Sequence, residues 1–172
     1  MVLGACGGGG DEPTATGRSS STTSVTAPQS STTTAPPIQG VQTFGSLDQG
    51  HTEAPVSYPQ VPPVGGIHNA VLQPCGFYDQ PIQNEKGVHS LEHGAIWITF
   101  RPDLPAADVE TLAGLARSRT LVLVSRWADG LPSPVVASGW GRQLQLQSVS
   151  DPRLAEFVRR YANQGPEINA PC

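Results

Sequence analysis

The run from Leu121 to Ser125 is apolar up to its last residue, and a run of that kind reads as a central strand. A chain with such a strand must build a sheet around it, and its neighbours in sequence supply the rest. Ala95 to Phe100 alternates, with Ile96, Ile98 and Phe100 on one face and Trp97 and Thr99 on the other, which predicts a strand covered on both faces. Asp103 and Pro105 open a helix that runs to about Arg117, with Val109, Leu112, Ala113 and Ala116 as its buried stripe. Asp108 and Glu110 near its start and Arg117 and Arg119 at its end suit the helix dipole. Trp127 to Pro134 contains Asp129-Gly130 and two prolines and reads as a loop. A further strand region spans Val135 to Gln147, with a bend or bulge at Gly139-Trp140-Gly141. The last helix starts at Ser150-Asp151-Pro152, buries Leu154, Phe157, Val158 and Tyr161, and is stopped by Gly165-Pro166. The order strand, helix, strand, strand, helix predicts a single α+β domain, a mostly antiparallel sheet with two helices on one face.

Upstream of this pattern the composition changes. Residues 1–40 are mostly Gly, Ser, Thr, Ala and Pro, too poor in large apolar side chains to offset the entropy of ordering, so they are expected to form a disordered tether. Residues 41–172 hold all the Trp, Tyr and Phe and form the expected globular domain. The opening Leu3-Gly4-Ala5-Cys6 resembles the lipobox at the end of a bacterial lipoprotein signal peptide, which makes Cys6 the expected site of diacylglycerol attachment. A lipid there would anchor the domain to the extracytoplasmic face of the cell membrane. The net charge of -4 and the scatter of the ten Lys and Arg residues argue against nucleic acid as a partner.

In an exported domain the two remaining cysteines, Cys75 and Cys172, are most simply a disulfide that staples the C-terminus to the fold. A thiolate metal ligand and two free thiols are the alternatives. Between Gln49 and Gly76 the chain is rich in proline and glycine, yet it carries His51, Tyr58 and His68, which a disposable linker has no use for. All four histidines, His51, His68, His89 and His93, precede the regular part of the chain. Imidazoles suit a transition metal, with Glu92 as a further ligand or an orienting group. The scarcity of methionine favours Zn(II) or Cu(II) over Cu(I).

His89 and His93 can meet at one ion only if the backbone between them turns as a helix, because in a strand residues four apart stand about 13 Å from each other. The expectation is that His89 and His93 contribute most to binding, with His68 beside them, and His51 least. The string His89-Ser90-Leu91-Glu92-His93 also fits the H-x-x-E-H pattern of inverted zinc peptidases, with Glu92 as base. Gly87 and Gly94 bracket it and a strand follows at once, which is not the long helix that pattern occupies, so no catalytic residue is assigned.

Several segments together resemble one known family: His51, Tyr58-Pro59, Pro62-Pro63-Val64-Gly65-Gly66-Ile67-His68, Cys75-Gly76-Phe77-Tyr78-Asp79, Val88 to Gly94, and Trp140-Gly141. They are similar to the bacterial family called domain of unknown function 3105, in its actinobacterial lipoprotein form, from about Leu47 to Cys172. The resemblance implies an exported, membrane-anchored domain in which His51, His68, His89 and His93 are signature positions, and it implies no reaction. Val64, Gly65 and Ile67 stand where the family reads Thr, Ser and Pro. The leading expectation is therefore a lipid-anchored domain that binds Cu(II) or Zn(II) at the cell envelope. A second is an interaction module that presents Tyr58, Phe77, Tyr78 and the proline-rich loop to an envelope protein or glycan. A third is a metal-dependent enzyme.

Overall fold

Six strands share one sheet in the computed structural model, which describes residues 36–172 together with Met1 and Gly4. They are β1 (Gln42–Thr43), β2 (Gly76–Tyr78), β3 (Ile96–Phe100), β4 (Val122–Arg126), β5 (Val135–Gly139) and β6 (Arg142–Leu146), accompanied by helices α1 (Asn84–Glu92), α2 (Ala106–Ser118) and α3 (Pro152–Tyr161). The strand order is β1-β6-β5-β3-β4-β2. β1 with β6, β6 with β5, and β5 with β3 pair antiparallel, whereas β4 pairs parallel to both β3 and β2. The fold is α+β, and its antiparallel pairings outnumber the parallel ones. The parallel step arises because α2 carries the chain from β3 back to the same end of the sheet, so β4 enters beside β3 in the same direction. Cys6 and the expected tether, apart from Met1, Gly4 and residues 36–40, lie outside the described residues.

The period of the sequence decides which side of the sheet each element covers. Ile96, Ile98 and Phe100 of β3, Val122 and Val124 of β4, and Leu144 and Leu146 of β6 pack with Leu112 and Ala116 of α2 and Leu154, Phe157 and Val158 of α3 in one buried cluster. That is the two-helix face anticipated from the stripes on α2 and α3. The intervening residues Trp97 and Leu123 face the other way and pack against Leu91 of α1, with Trp127 and Trp140 at the margin. Full burial of one such side chain contributes about 1.5–3 kcal/mol, so the first cluster supplies most of the hydrophobic stabilisation.

Val135 to Gln147 is a hairpin of two strands, with Gly139 paired to Arg142 across the two-residue turn Trp140-Gly141. The expected bend is this turn. α3 begins as expected: Pro152 is its first residue and the Asp151 carboxylate accepts a hydrogen bond from the Arg153 amide. It ends at Tyr161, ahead of Gly165-Pro166.

α1 was not anticipated as a helix. Gly87 lies within it because a Cβ at that position would stand 2.7 Å from the Trp97 ring, so the helix can approach β3 only without a side chain there. Gly94 ends it with φ of 84°, a left-handed backbone that glycine adopts without cost, and the Asn163 backbone leaves no room for a Cβ. This short helix at the rear of the sheet presents the histidine segment.

Candidate metal centre

Helical geometry brings His89 and His93 to one side of α1, as the four-residue spacing requires, and places Glu92 next to them. All three side chains are buried. Two further segments close on this end of the helix. The proline-rich segment folds over it: residues 50–52 and 68 form a parallel bridge in which the His68 amide donates to the Gly50 carbonyl and the Thr52 amide to the His68 carbonyl. The Asn69 and Gln73 amides donate to the Glu85 and Lys86 carbonyls of α1, and the Ser90 hydroxyl donates to the Gln73 carbonyl at 2.6 Å. The Tyr58 hydroxyl donates to the Ile67 carbonyl at 2.7 Å, and burial together with the Glu85 carboxylate raises its pKa well above the ordinary phenol value. It remains a donor and holds the His68 loop in place.

The third segment is the C-terminal tail. The Asn163 amide donates to the Gly94 carbonyl and the Glu167 amide to the Glu92 carbonyl, which occupies carbonyls left free where α1 ends. A Cβ on Gly165 would overlap the Glu92 carbonyl, so the tail lies directly on the helix terminus. Cys75 and Cys172 form a disulfide that fixes its last residue.

Within this enclosure the hydrogen bonds decide the tautomers. Each of three histidines has its Nδ1 against a backbone carbonyl: His68 to Gly66 at 2.8 Å, His89 to Asn69 at 2.7 Å and His93 to Pro171 at 2.6 Å. A carbonyl only accepts, so every Nδ1 carries the proton and every neutral ring presents a bare Nε2 lone pair. These lone pairs point at other acceptors. His68 Nε2 lies 2.9 Å from Glu92 Oε2, and His89 Nε2 lies 3.0 Å from His93 Nε2. Acceptor facing acceptor at such distances is repulsive unless a cation stands between them, either a proton or a metal ion. Backbone carbonyls that orient imidazoles through their outer nitrogen are the usual second layer of a metal site.

One ligand atom from each of His51, His68, His89 and Glu92 lies within 4.8 Å of the other three, an arrangement that could hold a metal ion. Two donors on one ion at about 2.0–2.2 Å stand roughly 3–3.5 Å apart, so modest closure completes the set. His51 is the ring free to move, since its side chain is 49% exposed and its Nε2 is 3.9 Å from Glu92 Oε2. Burial holds the His89 pKa below the ordinary histidine value, against the pull of the Asn69 carbonyl and with help from His93 and His68. His89 is therefore a free base at neutral pH, as a ligand must be.

The structure differs from the sequence expectation in one respect. His51, His68 and His89 of the expected histidines form the four-donor group with Glu92, whereas His93, expected to meet the same ion, stands at its edge beside Glu167 at 3.3 Å. The backbone bridge to residue 68 overcomes the distance of His51 along the chain, while the Pro171 carbonyl turns His93 toward the tail. Glu167 carried no periodic or motif signal in the sequence. The aromatic residues of the alternative interaction surface are half-buried, and Phe77 stacks on Phe100 at 6.1 Å between centroids, inside the fold.

A family model described as protein of unknown function (DUF3105) matches residues 51–172. No curated protein and no solved structure matches the chain.

Proposed function

We propose that this chain, which belongs to the DUF3105 family of proteins of unknown function, is a transition-metal-binding domain held at the outer face of the cell membrane, with Zn(II) or Cu(II) bound by His51, His68, His89 and Glu92. The observation that carries the reading is the tautomer assignment. Two of the ligand imidazoles, His68 and His89, are locked by backbone carbonyls with their lone pairs turned inward, and the buried Glu92 carboxylate faces that of His68. Packing alone gives no reason to aim bare lone pairs at each other and at a carboxylate. A donor set of three nitrogens and one oxygen suits Zn(II) and Cu(II) and disfavours Cu(I), which takes soft sulfur ligands. Capture and buffering of the metal is the role this supports, because the donor set is built into the enclosed end of α1 under the proline-rich segment.

Binding is tested by titrating metal-free protein with Zn(II) or Cu(II) at several pH values. One tight equivalent with imidazole ligation in its X-ray absorption spectrum is expected at neutral pH. Affinity is expected to fall on acidification, since protons compete for the same lone pairs, and the share due to His89 begins below about pH 6.5 because its pKa is lowered. In the metal-free chain the same shift makes the unfolded state the better proton acceptor at His89, so that stability also declines as pH drops below about 6.5. A flat affinity from neutral to mildly acidic pH would remove imidazole from the ligand set.

The envelope location rests on the lipobox-like Leu3-Gly4-Ala5-Cys6 and on a disulfide that suits an oxidising compartment. Expressed behind a bacterial lipoprotein signal peptide, the protein is expected to partition into detergent, and Cys6→Ala to leave it in the aqueous phase. Aqueous partition of the unaltered protein rules the anchor out.

A further inference from the structure

We infer that His89, His93 and Glu167 form a second position for a divalent transition-metal ion beside the first, with the C-terminal tail supplying the carboxylate. His93 Nε2 lies 3.0 Å from His89 Nε2 and 3.3 Å from Glu167 Oε2. Both rings donate Nδ1–H to backbone carbonyls, those of Asn69 and Pro171, so neither Nε2 has a proton to offer the other. The four-donor group leaves His93 out, so its lone pair and the Glu167 carboxylate have no role in the first position.

The side chain of Glu167 is exposed, but the backbone that carries it is fixed. Its amide is bonded to the Glu92 carbonyl, and the turn that carries it is closed by paired hydrogen bonds between Asn163 and Asn169 at 2.9 and 2.7 Å. Downstream, Pro171 orients His93 and Cys172 is tied to Cys75. Two imidazoles and one carboxylate from the helix and tail thus repeat the donor types of His51, His68 and Glu92 from the loop and helix. Each triad leaves coordination positions open for water or a bridging ligand, as in paired metal sites with ions about 3.5–4 Å apart.

One imidazole nitrogen binds one ion. His89 therefore serves the first position when a single ion is bound and passes to the second when another arrives, so the two positions fill in sequence and the second is the weaker. The inference rests on the metal-binding reading for the kind of ion but not for the number bound.

The experiment is a titration of the full, metal-free chain with Zn(II), in which bound ions per chain are counted by native mass spectrometry and by elemental analysis after desalting. Two ions in two steps are expected for the unaltered chain. Glu167→Gln is expected to stop at one ion with the first step intact, because the residue is exposed and its backbone bond is retained. His93→Ala is expected to do the same, checked by an unchanged circular dichroism spectrum. A chain that saturates at one ion, with a proton shared between His89 and His93, overturns the inference and leaves the first site standing. Two ions in Glu167→Gln overturn it as well. No ion in any form of the protein overturns both readings at once.

Discussion

His68→Ala is expected to lower metal affinity by more than about 100-fold, beyond the 10–100-fold that removing an orienting partner costs. His68 is fully buried, with Nδ1 on the Gly66 carbonyl and Nε2 against Glu92, so no solvent-exposed group can take its place. In the metal-free chain the bare His68 Nε2 faces Glu92 with no proton between them, so the variant loses packing but no charge partner there, and His51 at 3.9 Å and His89 remain beside the carboxylate. Having lost a ligand, the variant should fail to gain stability from added Zn(II), whereas the unaltered protein gains about 2.7 kcal/mol at a free metal concentration 100 times its Kd. Urea unfolding with and without metal separates the two effects. Equal metal stabilisation in variant and parent would show that His68 is a packing residue.

Cys172→Ser is the second large effect. The disulfide joins residues 97 apart, and closing a loop of that size restricts the unfolded chain by up to about 4–5 kcal/mol in the chain-entropy model. The urea midpoint should drop accordingly, and the same variant should hold the second ion more weakly, because residues 163–172 then lose their covalent tie. His93 depends on the Pro171 carbonyl next to the lost bond. An unfolding free energy within about 1 kcal/mol of the parent's would mean that the tail is held by its backbone contacts alone.

The parts of the fold that could be read in advance are those where one period persists. β3 and β4 are buried on both faces and read so residue by residue, while the stripes of α2 and α3 name the side they cover. α1 was hidden because Gly87 argues against a helix by propensity, about 1 kcal/mol relative to alanine, and its reason for being there is a ring ten residues away. β1 and β2 have two and three residues, too few for a pattern to show, and their pairing partners are remote in sequence.

At the site, the histidines are legible as a cluster along the chain, and the four-residue spacing of His89 and His93 requires a helical turn for them to converge. Glu92 was legible too, as the carboxylate between them. What could not be read was which imidazole faces which acceptor. That depends on the carbonyls of Gly66, Asn69 and Pro171, and a carbonyl leaves no mark in a sequence because every residue has one. The inclusion of His51 is likewise a matter of backbone pairing at residue 68, and the approach of Glu167 follows from where the tail is stapled.

The placement of the disulfide has a topological side. Any peptide bond cut between Cys75 and Cys172 leaves a single covalent molecule, so α1, the sheet and the tail survive one break in the chain as a connected body. A cut anywhere from residue 69 to residue 74 does not. It severs a piece that carries both His51 and His68, held to the remainder by hydrogen bonds and packing alone. Half of the donor set is therefore mounted on the one stretch of the described domain that the cross-link leaves unguarded, and continuity of the backbone there is as much a requirement of the site as any ligand.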